Sequence, residues 1–253
     1  MTPEDENAMH MRKKKWARPE LAACEWATDA PGRLRGHWRE AFADPGAPLW
    51  LELGCGKGVA TAAMIADNPG VNCIAVDISP DVLGDARRNI AALCGEHPGN
   101  AVLVRTDAEQ LSGFLAPEDG VERVYIRFCN PWPRRSHKKR RLTHPRQLVQ
   151  IRALLPVGGE VWFKTDDEGL FRDSLVYFET AGFEPVRLTE DLHAAGWQPN
   201  YVSEHERRFA AAGIPIRAGV WRKTAAAVDE DFTRWELPED RPRRPAEDAP
   251  EAP

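Results

Sequence analysis

The segment 49–58, with the sequence LWLELGCGKG, decides the fold. Its first half, Leu49–Leu53, is apolar and of strand length, and it runs directly into a glycine-rich turn at 54–58. Glycine lets the backbone turn sharply and approach a ligand, because no Cβ stands in the way. A helical pattern begins near Val59, so the segment predicts a strand, a ligand-binding loop and a helix in succession.

Short apolar runs alternate with amphipathic stretches on the C-terminal side of this segment. We predict a helix over Asp81–Leu93 after Ser79-Pro80, because a Ser oxygen can accept an orphan amide hydrogen bond and Pro suits the first helical position. A second helix is predicted over 145–155, before a turn at 156–159. The predicted strands are Leu49–Leu53, Cys73–Asp77, Ala101–Arg105, Arg123–Phe128, Glu160–Lys164 and, after a long polar segment over Gly196–Gly213, a late strand over Ile216–Lys223. This alternation predicts an α/β fold: a mostly parallel sheet with helices on both faces, a late antiparallel strand, and ligands at the carboxyl ends of the strands.

Length and composition fit one soluble α/β domain, since the chain has 253 residues, of which 42% are apolar and 29% charged. No apolar run approaches the roughly 20 residues of a membrane helix, and the N-terminus lacks the apolar core of a signal peptide, so we expect a cytoplasmic protein. We predict a domain over 12–223, a disordered tail over 1–11 and an acidic, Pro-rich tail over 229–253. Five cysteines without a C-x-x-C pair indicate free thiols, with neither disulfide nor metal.

The charge distribution is uneven. The formal net charge of −5 argues against a protein that coats nucleic acid nonspecifically. Two basic clusters, RKKK at 12–15 and RRSHKKRR at 134–141, are nevertheless suited to contact a polyanion.

Carboxylates at successive strand ends indicate a nucleotide-like cofactor. Asp77 ends the strand after the glycine loop, where a carboxylate can accept both hydroxyls of a ribose. This suits either a nicotinamide dinucleotide or an adenosine-bearing cofactor without a pyrophosphate. The G-x-G-x-G spacing favours the second, and so does the anion of Glu52, which repels a pyrophosphate and attracts a sulfonium. Asp107, after the third strand, suits the adenine amino group. Each carboxylate alone is typical of a solvated strand end, but three beside one loop favour a site for an adenosine-bearing cofactor such as S-adenosylmethionine. Its candidate residues are Glu52, Gly54, Gly56, Gly58, Asp77 and Asp107.

The fourth predicted strand ends in the loop Arg127–Pro133, RFCNPWP, directly before the second basic cluster. Trp132 stands between two prolines, which gives a stiff loop. The ring is equally compatible with contact to a nucleic-acid base and with simple packing against the loop.

Four blocks of the chain resemble the bacterial tRNA guanine-N7 methyltransferase family. They are LELGCGKG at 51–58, NPWPRRSHKKRRL at 130–142, FKTD at 163–166 and SEHERRF at 203–209. The family's blocks are L-E-I-G-C-G-K-G, D-P-W-P-K-x-x-H-x-K-R-R-L, F-K-T-D and T-x-F-E-x-R-F, and the resemblance runs from about Arg12 to about Lys223. It implies a Rossmann-like class I S-adenosylmethionine-dependent methyltransferase, a monomer or homodimer, that methylates N7 of the guanosine at position 46 in the tRNA variable loop.

The resemblance also implies roles for single residues. Asn130 occupies the position of the family's catalytic Asp beside the cofactor, and Glu206 is the second catalytic residue. The residues implied to contact the target nucleotide are Arg134, Asp166, Ser203 and Glu206. Those expected at tRNA phosphates are Lys138, Lys139, Arg140 and Arg141. Arg134 in place of Lys keeps the charge, and His205 in place of an aromatic residue keeps a ring, whereas Asn130 removes a carboxylate.

The chemistry of the implied reaction sets what those residues have to do. Guanine N7 carries a lone pair and no proton, so positioning is expected to dominate over base catalysis. Glu206 and Asp166 are expected to stabilise the positive charge that reaches the ring and to accept hydrogen bonds from N1–H and the 2-amino group. The alternative for Glu206 is a surface ion pair with Arg207 or Arg208.

Three other functions stay open from the residues alone. The sequence Asn130-Pro131-Trp132 is similar to the N-P-P-aromatic motif of exocyclic-amino methyltransferases. The absent carboxylate at Asn130 is compatible with a catalytically silent RNA-binding protein on a methyltransferase fold. A nicotinamide dehydrogenase is the third alternative.

Overall fold

An eight-stranded sheet forms the centre of the computed structural model, which describes residues 13–229, 231–232, 235–237 and 240. The strands lie in the order β1-β4-β3-β2-β5-β6-β8-β7. Strands β1 to β6 are parallel, and β8 runs antiparallel to both β6 and β7. The strands are β1 Ala27–Thr28, β2 Leu49–Leu53, β3 Asn72–Asp77, β4 Ala101–Arg105, β5 Val121–Arg127, β6 Glu160–Thr165, β7 Phe183–Thr189 and β8 Arg217–Lys223.

Helices cover both faces of this sheet. The α-helices are α1 Ala17–Ala22, α2 Val59–Asp67, α3 Pro80–Cys94, α4 Pro145–Leu154, α5 Glu168–Thr180 and α6 Glu204–Ala211, and five short 3-10 helices cover Pro31–Leu34, Trp38–Ala41, Leu111–Gly113, Pro117–Asp119 and Arg135–Arg140. Alternate residues of a strand point to opposite faces, so Ile74 of β3 joins the cluster under α4 and α5, whereas Cys73 joins the cluster under α2 and α3. The predicted α/β fold, including the late antiparallel strand, is confirmed.

Helix α3 begins as predicted in position, but its capping differs. Pro80 occupies the first turn after Ser79, yet the Ser79 side chain makes no capping hydrogen bond. Its backbone N–H instead donates to Asp77 Oδ1 at 2.8 Å. The start of this helix is therefore fixed by the carboxylate at the end of β3.

The elements towards the C-terminus that were not predicted are helix α5, strand β7 and helix α6. Strand β7 pairs with β8 only, and five consecutive residues, Glu184–Leu188, are exposed, so it lacks the apolar run that identifies a buried strand. Helix α6 lies inside the segment predicted as polar and irregular, where Ser203 Oγ accepts the N–H of Glu206. Ser203 and Glu206 have the S-x-x-E spacing that is typical of a helix start, so this pattern could have predicted α6 from the sequence.

Of the two predicted tails, the structure describes only part of the C-terminal one. The tail over 1–11 lies outside the described residues. In the segment predicted as the C-terminal tail, Phe232 and Leu237 are buried, and Trp235 packs against the rings of His144 and Tyr177. In the part of the chain that the structure describes, every helix is too short or too polar to cross a bilayer.

Candidate active site

The glycine loop crosses the carboxyl end of β3. The N–H groups of Gly54 and Cys55 both donate to Val76 O at 2.9 Å. Gly54, Gly56 and Gly58 have φ of +76°, +56° and +68°, which disfavours any residue with a side chain. A Cβ on Gly58 would also lie 2.7 Å from Ala86 Cβ of α3, whereas those on Gly54 and Gly56 would meet nothing within 4 Å. The loop therefore packs against α3 at Gly58 and is open at Gly54 and Gly56, so a ligand can approach its backbone closely there.

Asp77 ties the loop to its neighbouring strand. Asp77 Oδ2 accepts the N–H of Gly56 at 3.1 Å, and Oδ1 accepts that of Ser79 at 2.8 Å. Burial raises the pKa of this carboxyl above its usual range, while the backbone hydrogen bonds oppose that shift. Each carboxylate oxygen keeps a second lone pair, so the group fits a ribose diol.

Asp107 stands beside it, two residues after β4. Its Oδ1 accepts the N–H of Glu109 at 2.9 Å, and the chain is held against β3 by the hydrogen bond from Thr106 N to Asp77 O. The two carboxylates that the sequence assigns to the cofactor therefore end adjacent strands.

Glu52 is buried in an ion pair that the sequence did not reveal. Its Oε1 accepts from Arg127 at 2.6 Å, and its Oε2 accepts from the Thr61 hydroxyl at 2.6 Å. The guanidinium of Arg127 offsets the charge, so repulsion of a pyrophosphate by a bare anion at Glu52 does not apply here. A charged residue at the end of an apolar strand was the available signal for Arg127.

A pocket separates the glycine loop from the segment around helix α6. One wall is the loop and the first turn of α2, and the other is Phe128 with Ser203, Glu204 and His205. Lys57 Nζ reaches Glu204 Oε2 at 2.6 Å and so joins the two walls. The first and last of the four sequence blocks therefore face each other across one pocket.

His205 is fixed in its wall by two rings and a carboxylate. Its ring centroid lies 4.3 Å from that of Phe209, with which it stacks, and 4.7 Å from that of Phe128. Its Nε2 lies 3.0 Å from Asp166 Oδ1. Burial raises the pKa of Asp166, but the hydrogen bond with His205 and the other favourable contacts outweigh that effect, so the pKa lies below its usual value.

Glu206 lies inside the wall and does not line the pocket. It is fully buried, with Oε2 at 2.5 Å from Lys164 Nζ and Oε1 at 2.7 Å from the Asn200 amide and 3.1 Å from His193 Nε2. Burial lowers the pKa of Lys164 to about 8, and the charge of Glu206 opposes that shift. Both carboxylate oxygens are occupied, so this geometry provides neither the implied nucleotide contact nor the surface ion pair considered as its alternative.

Asn130 and Trp132 form a strained turn after β5. Asn130 is exposed, and its side-chain oxygen accepts the N–H of Trp132 at 3.0 Å. Trp132 and Phe128 have φ of +41° and +53°, a conformation that costs non-glycine residues about 1–3 kcal/mol and is concentrated at functional sites. The Trp132 ring packs edge-on against His137 and lies 5.1 Å from the guanidinium of Arg140.

The basic segment 134–141 divides into inward and outward side chains. Arg141 is buried, donates from Nε to Pro131 O at 2.6 Å and pairs with Asp173 of α5. Lys138 pairs with Asp173 at 3.1 Å and with Asp240 at 2.7 Å. These two residues anchor the segment, which corrects the prediction that they contact phosphate. The exposed cations are Arg134, Arg135, Lys139 and Arg140, of which Arg135 pairs with Glu236 at 2.8 Å.

Comparisons with known proteins find a matching family model and several similar sequences. A family model described as "Putative methyltransferase" matches residues 46–218. A tRNA (guanine-N(7)-)-methyltransferase of Clostridium perfringens (strain SM101 / Type A) is 45% identical over 218 residues, covering 85% of this chain and 100% of that protein. A tRNA (guanine-N(7)-)-methyltransferase of Acetivibrio thermocellus is 46% identical over 212 residues, covering 83% and 97%.

Solved structures show the same fold at low identity. A 16S rRNA (adenine(1408)-N(1))-methyltransferase from Catenulisporales acidiphilia has a TM-score of 0.54 at 13% identity, covering 80% of this chain and 95% of that chain. The 16S rRNA methyltransferase KamB has a TM-score of 0.52 at 16% identity, covering 74% and 90%. The chain therefore has the fold of these methyltransferases.

Proposed function

The chain belongs to the family of tRNA (guanine-N(7)-)-methyltransferases, and we propose that it transfers the methyl group of S-adenosylmethionine to N7 of the guanosine at position 46 of tRNA. One observation carries the proposal: the glycine loop faces Phe128, Ser203 and His205 across a single pocket. A cofactor held by the loop would therefore lie against the segment that bears the family's substrate motif.

The residues of the glycine loop fit S-adenosylmethionine, which supplies an electrophilic methyl group on a sulfonium. Asp77 is the candidate partner of the ribose hydroxyls, and Asp107 that of the adenine amino group. Gly54 and Gly56 leave open space for the ligand. The buried pair of Glu52 and Arg127 fixes the floor of the pocket, because both side chains are held in one orientation by short hydrogen bonds.

The substrate wall is suited to position a guanine. The hydroxyl oxygen of Ser203 accepts the N–H of Glu206, so the hydroxyl proton of Ser203 remains available to an acceptor such as guanine O6. The lowered pKa of Asp166 keeps this carboxylate ionised at neutral pH, where it stabilises the positive charge that develops on the ring. Glu206 acts through Lys164 and Asn200, as the buried support of this wall.

Asn130 is compatible with turnover in this arrangement. N7 has no proton to lose, so a carboxylate at this position is not required as a base. The Asn130 oxygen holds the backbone of Trp132, and through it the loop beside the cofactor edge. An Asp oxygen would accept the same bond.

The exposed cations of the basic segment are the candidate phosphate contacts. Arg134, Lys139 and Arg140 point to solvent from a segment that Lys138 and Arg141 anchor to α5. Such contacts give salt-dependent affinity with little base information. The cytoplasmic location and the division into a domain over 12–223 and two tails stay predictions.

The test is to incubate the protein with labelled S-adenosylmethionine and unmodified tRNA, then digest and separate the nucleosides. We expect label in 7-methylguanosine, and no label when guanosine 46 is replaced by adenosine in the same transcript. Label in an N-methylated adenine or cytosine would show an exocyclic-amino methyltransferase. Cofactor binding without any product would show a silent RNA-binding protein.

A further inference from the structure

A second groove opens at the carboxyl edge of the sheet, on the side of β1. Three arginines line it: Arg18 of α1, Arg33 of the 3-10 helix Pro31–Leu34 and Arg105 at the end of β4. Thr28 at the end of β1 and Pro80 at the start of α3 complete the same edge.

The positive charge of this groove is only partly compensated. Asp29 is the one carboxylate among the lining residues of the described chain, and it lies 3.2 Å from Arg105. Within the described residues Arg18 and Arg33 are exposed and form no ion pair. Glu20 is unavailable to Arg18, because both of its oxygens bind Arg88. Two guanidinium groups of this groove therefore face solvent without an anionic partner among the residues that the structure describes.

The groove is held in shape by close packing. A Cβ on Gly84 of α3 would lie 2.7 Å from Ala17 Cβ, so α1 and α3 approach as closely as a glycine allows. The backbone N–H of Lys14 donates to Asp81 at 2.9 Å, and its ammonium pairs with Asp85. Arg18 is thus carried by a helix that is fixed against α3, which lowers the ordering cost of binding an anion.

The groove shares its edge with the proposed active site. In the sheet order, β1 and β4 precede β3, whose Asp77 holds the glycine loop. At about 4.8 Å per strand, the end of β1 lies roughly 19 Å from the end of β5, which leads through residues 128–133 into the basic segment. The pocket therefore lies between two positively charged surfaces at one edge of the sheet.

We propose that this groove binds backbone phosphates of the RNA substrate, with Arg18 and Arg33 as the principal contacts. The planar guanidinium matches a phosphate in two hydrogen bonds, and a polyanion with one base in the pocket would pass both charged surfaces. This inference rests on the proposed function, because it takes the RNA to be the substrate of the adjoining pocket.

The test compares the salt dependence of tRNA binding for the wild type, Arg18→Gln, Arg33→Gln and the double variant. Arg222→Gln is the matched control, because it removes one positive charge at the opposite edge, beside Glu160 at the start of β6. Each lost phosphate contact should reduce the log–log salt slope by about 0.7–0.9, so a fourfold rise in salt weakens wild-type binding about threefold more per contact. Affinity for S-adenosylmethionine should stay unchanged. Groove variants with the slope of Arg222→Gln would overturn the proposal.

Two further measurements distinguish this proposal from the proposed function on which it rests and from the binding of a free anion. Identification of 7-methylguanosine by the wild type tests the function alone, so flattened slopes without that product would leave the groove standing and reject the proposed function. Inorganic phosphate is titrated at constant ionic strength. If phosphate binds the wild type but not the double variant while the tRNA slopes are equal, the groove takes a free anion and the RNA contact is wrong.

Discussion

Replacing Glu206 by Gln removes the charge of a carboxylate that is wholly enclosed beside the ammonium of Lys164. Gln keeps the size of the side chain and one hydrogen bond partner in Asn200. Loss of one member of a buried ion pair costs about 3–5 kcal/mol, because the other charge is left unpaired. Because the hydrogen bond with Asn200 is retained, we expect the loss of unfolding free energy to lie at the lower end of this range, about 3 kcal/mol at pH 7.

The loss should depend on pH in a definite direction. Burial lowers the pKa of Lys164 to about 8 against the opposing charge of Glu206, so removing that charge lowers the pKa further. An unfolded lysine has a pKa of about 10.4, and stability rises with pH once the folded state has lost the proton and the unfolded state has not. The stability of the variant therefore begins to rise at a lower pH than that of the wild type. The difference between the two proteins therefore narrows as the pH approaches about 8 and stays constant above it.

Urea unfolding at pH 6, 7, 8 and 9 measures this difference, and Glu204→Gln is the control from the same helix. Glu204 pairs with Lys57 at the surface, with both side chains about half exposed, and exposed pairs contribute only about 0.2–1 kcal/mol. The reasoning is refuted if Glu206→Gln unfolds like the control. A fully stable variant that has lost methyl transfer would instead support direct contact of Glu206 with the nucleotide.

Three further perturbations test the site and the fold. Asp77→Ala should weaken S-adenosylmethionine binding roughly 10- to 150-fold in calorimetry, because a charge-assisted partner of the ribose is lost, and equal affinity in a folded variant would reject that role. Asn130→Asp should stay within about tenfold of wild type in single-turnover methyl transfer, since either oxygen accepts the N–H of Trp132, whereas a gain of several orders of magnitude would show that the carboxylate is essential. His144 caps α4 by accepting the N–H of Arg146, and burial lowers its pKa to about 4. Below about pH 6.5 the unfolded chain binds a proton that the folded chain excludes, so wild-type stability should fall by up to about 3 kcal/mol towards pH 4. His144→Asn keeps a cap and should fall less over that range, and equal pH dependence in unfolding curves would contradict this.

The fold was accessible from the sequence where hydrophobic pattern determines structure. Strands β2 and β4 have the predicted bounds, and Asp77 lies where the glycine loop needs a carboxylate. Strand β7 was not accessible, because it is an edge strand with five exposed residues, Pro185 among them, and so lacks the continuous apolar run of a buried strand. Its existence depends on pairing with β8, a tertiary contact.

The candidate site shows the same division between local pattern and tertiary context. The carboxylates Glu52, Asp77 and Asp107 could be located from strand ends, and Glu206 from the resemblance. The partners Arg127 of Glu52 and Lys164 of Glu206 could not, because they lie on strands distant in the chain. The sequence RRSHKKRR likewise shows the charge of the basic segment, but not whether each side chain points towards the protein or towards solvent. Arg141 points inward because it pairs with Asp173 of α5 and donates to Pro131 O, contacts that the sequence does not reveal, whereas Arg140 stays exposed.

The described residues near the C-terminus place acids on the basic segment. Glu236 pairs with Arg135, and Asp240 pairs with Lys138, beside the buried Leu237. At the exposed Arg135 an arriving phosphate must compete with Glu236, so part of the counterion release expected there has already taken place within the protein. Binding isotherms would then undercount the cations that meet the RNA, and at low ionic strength the enzyme would be held less tightly on RNA that it does not modify.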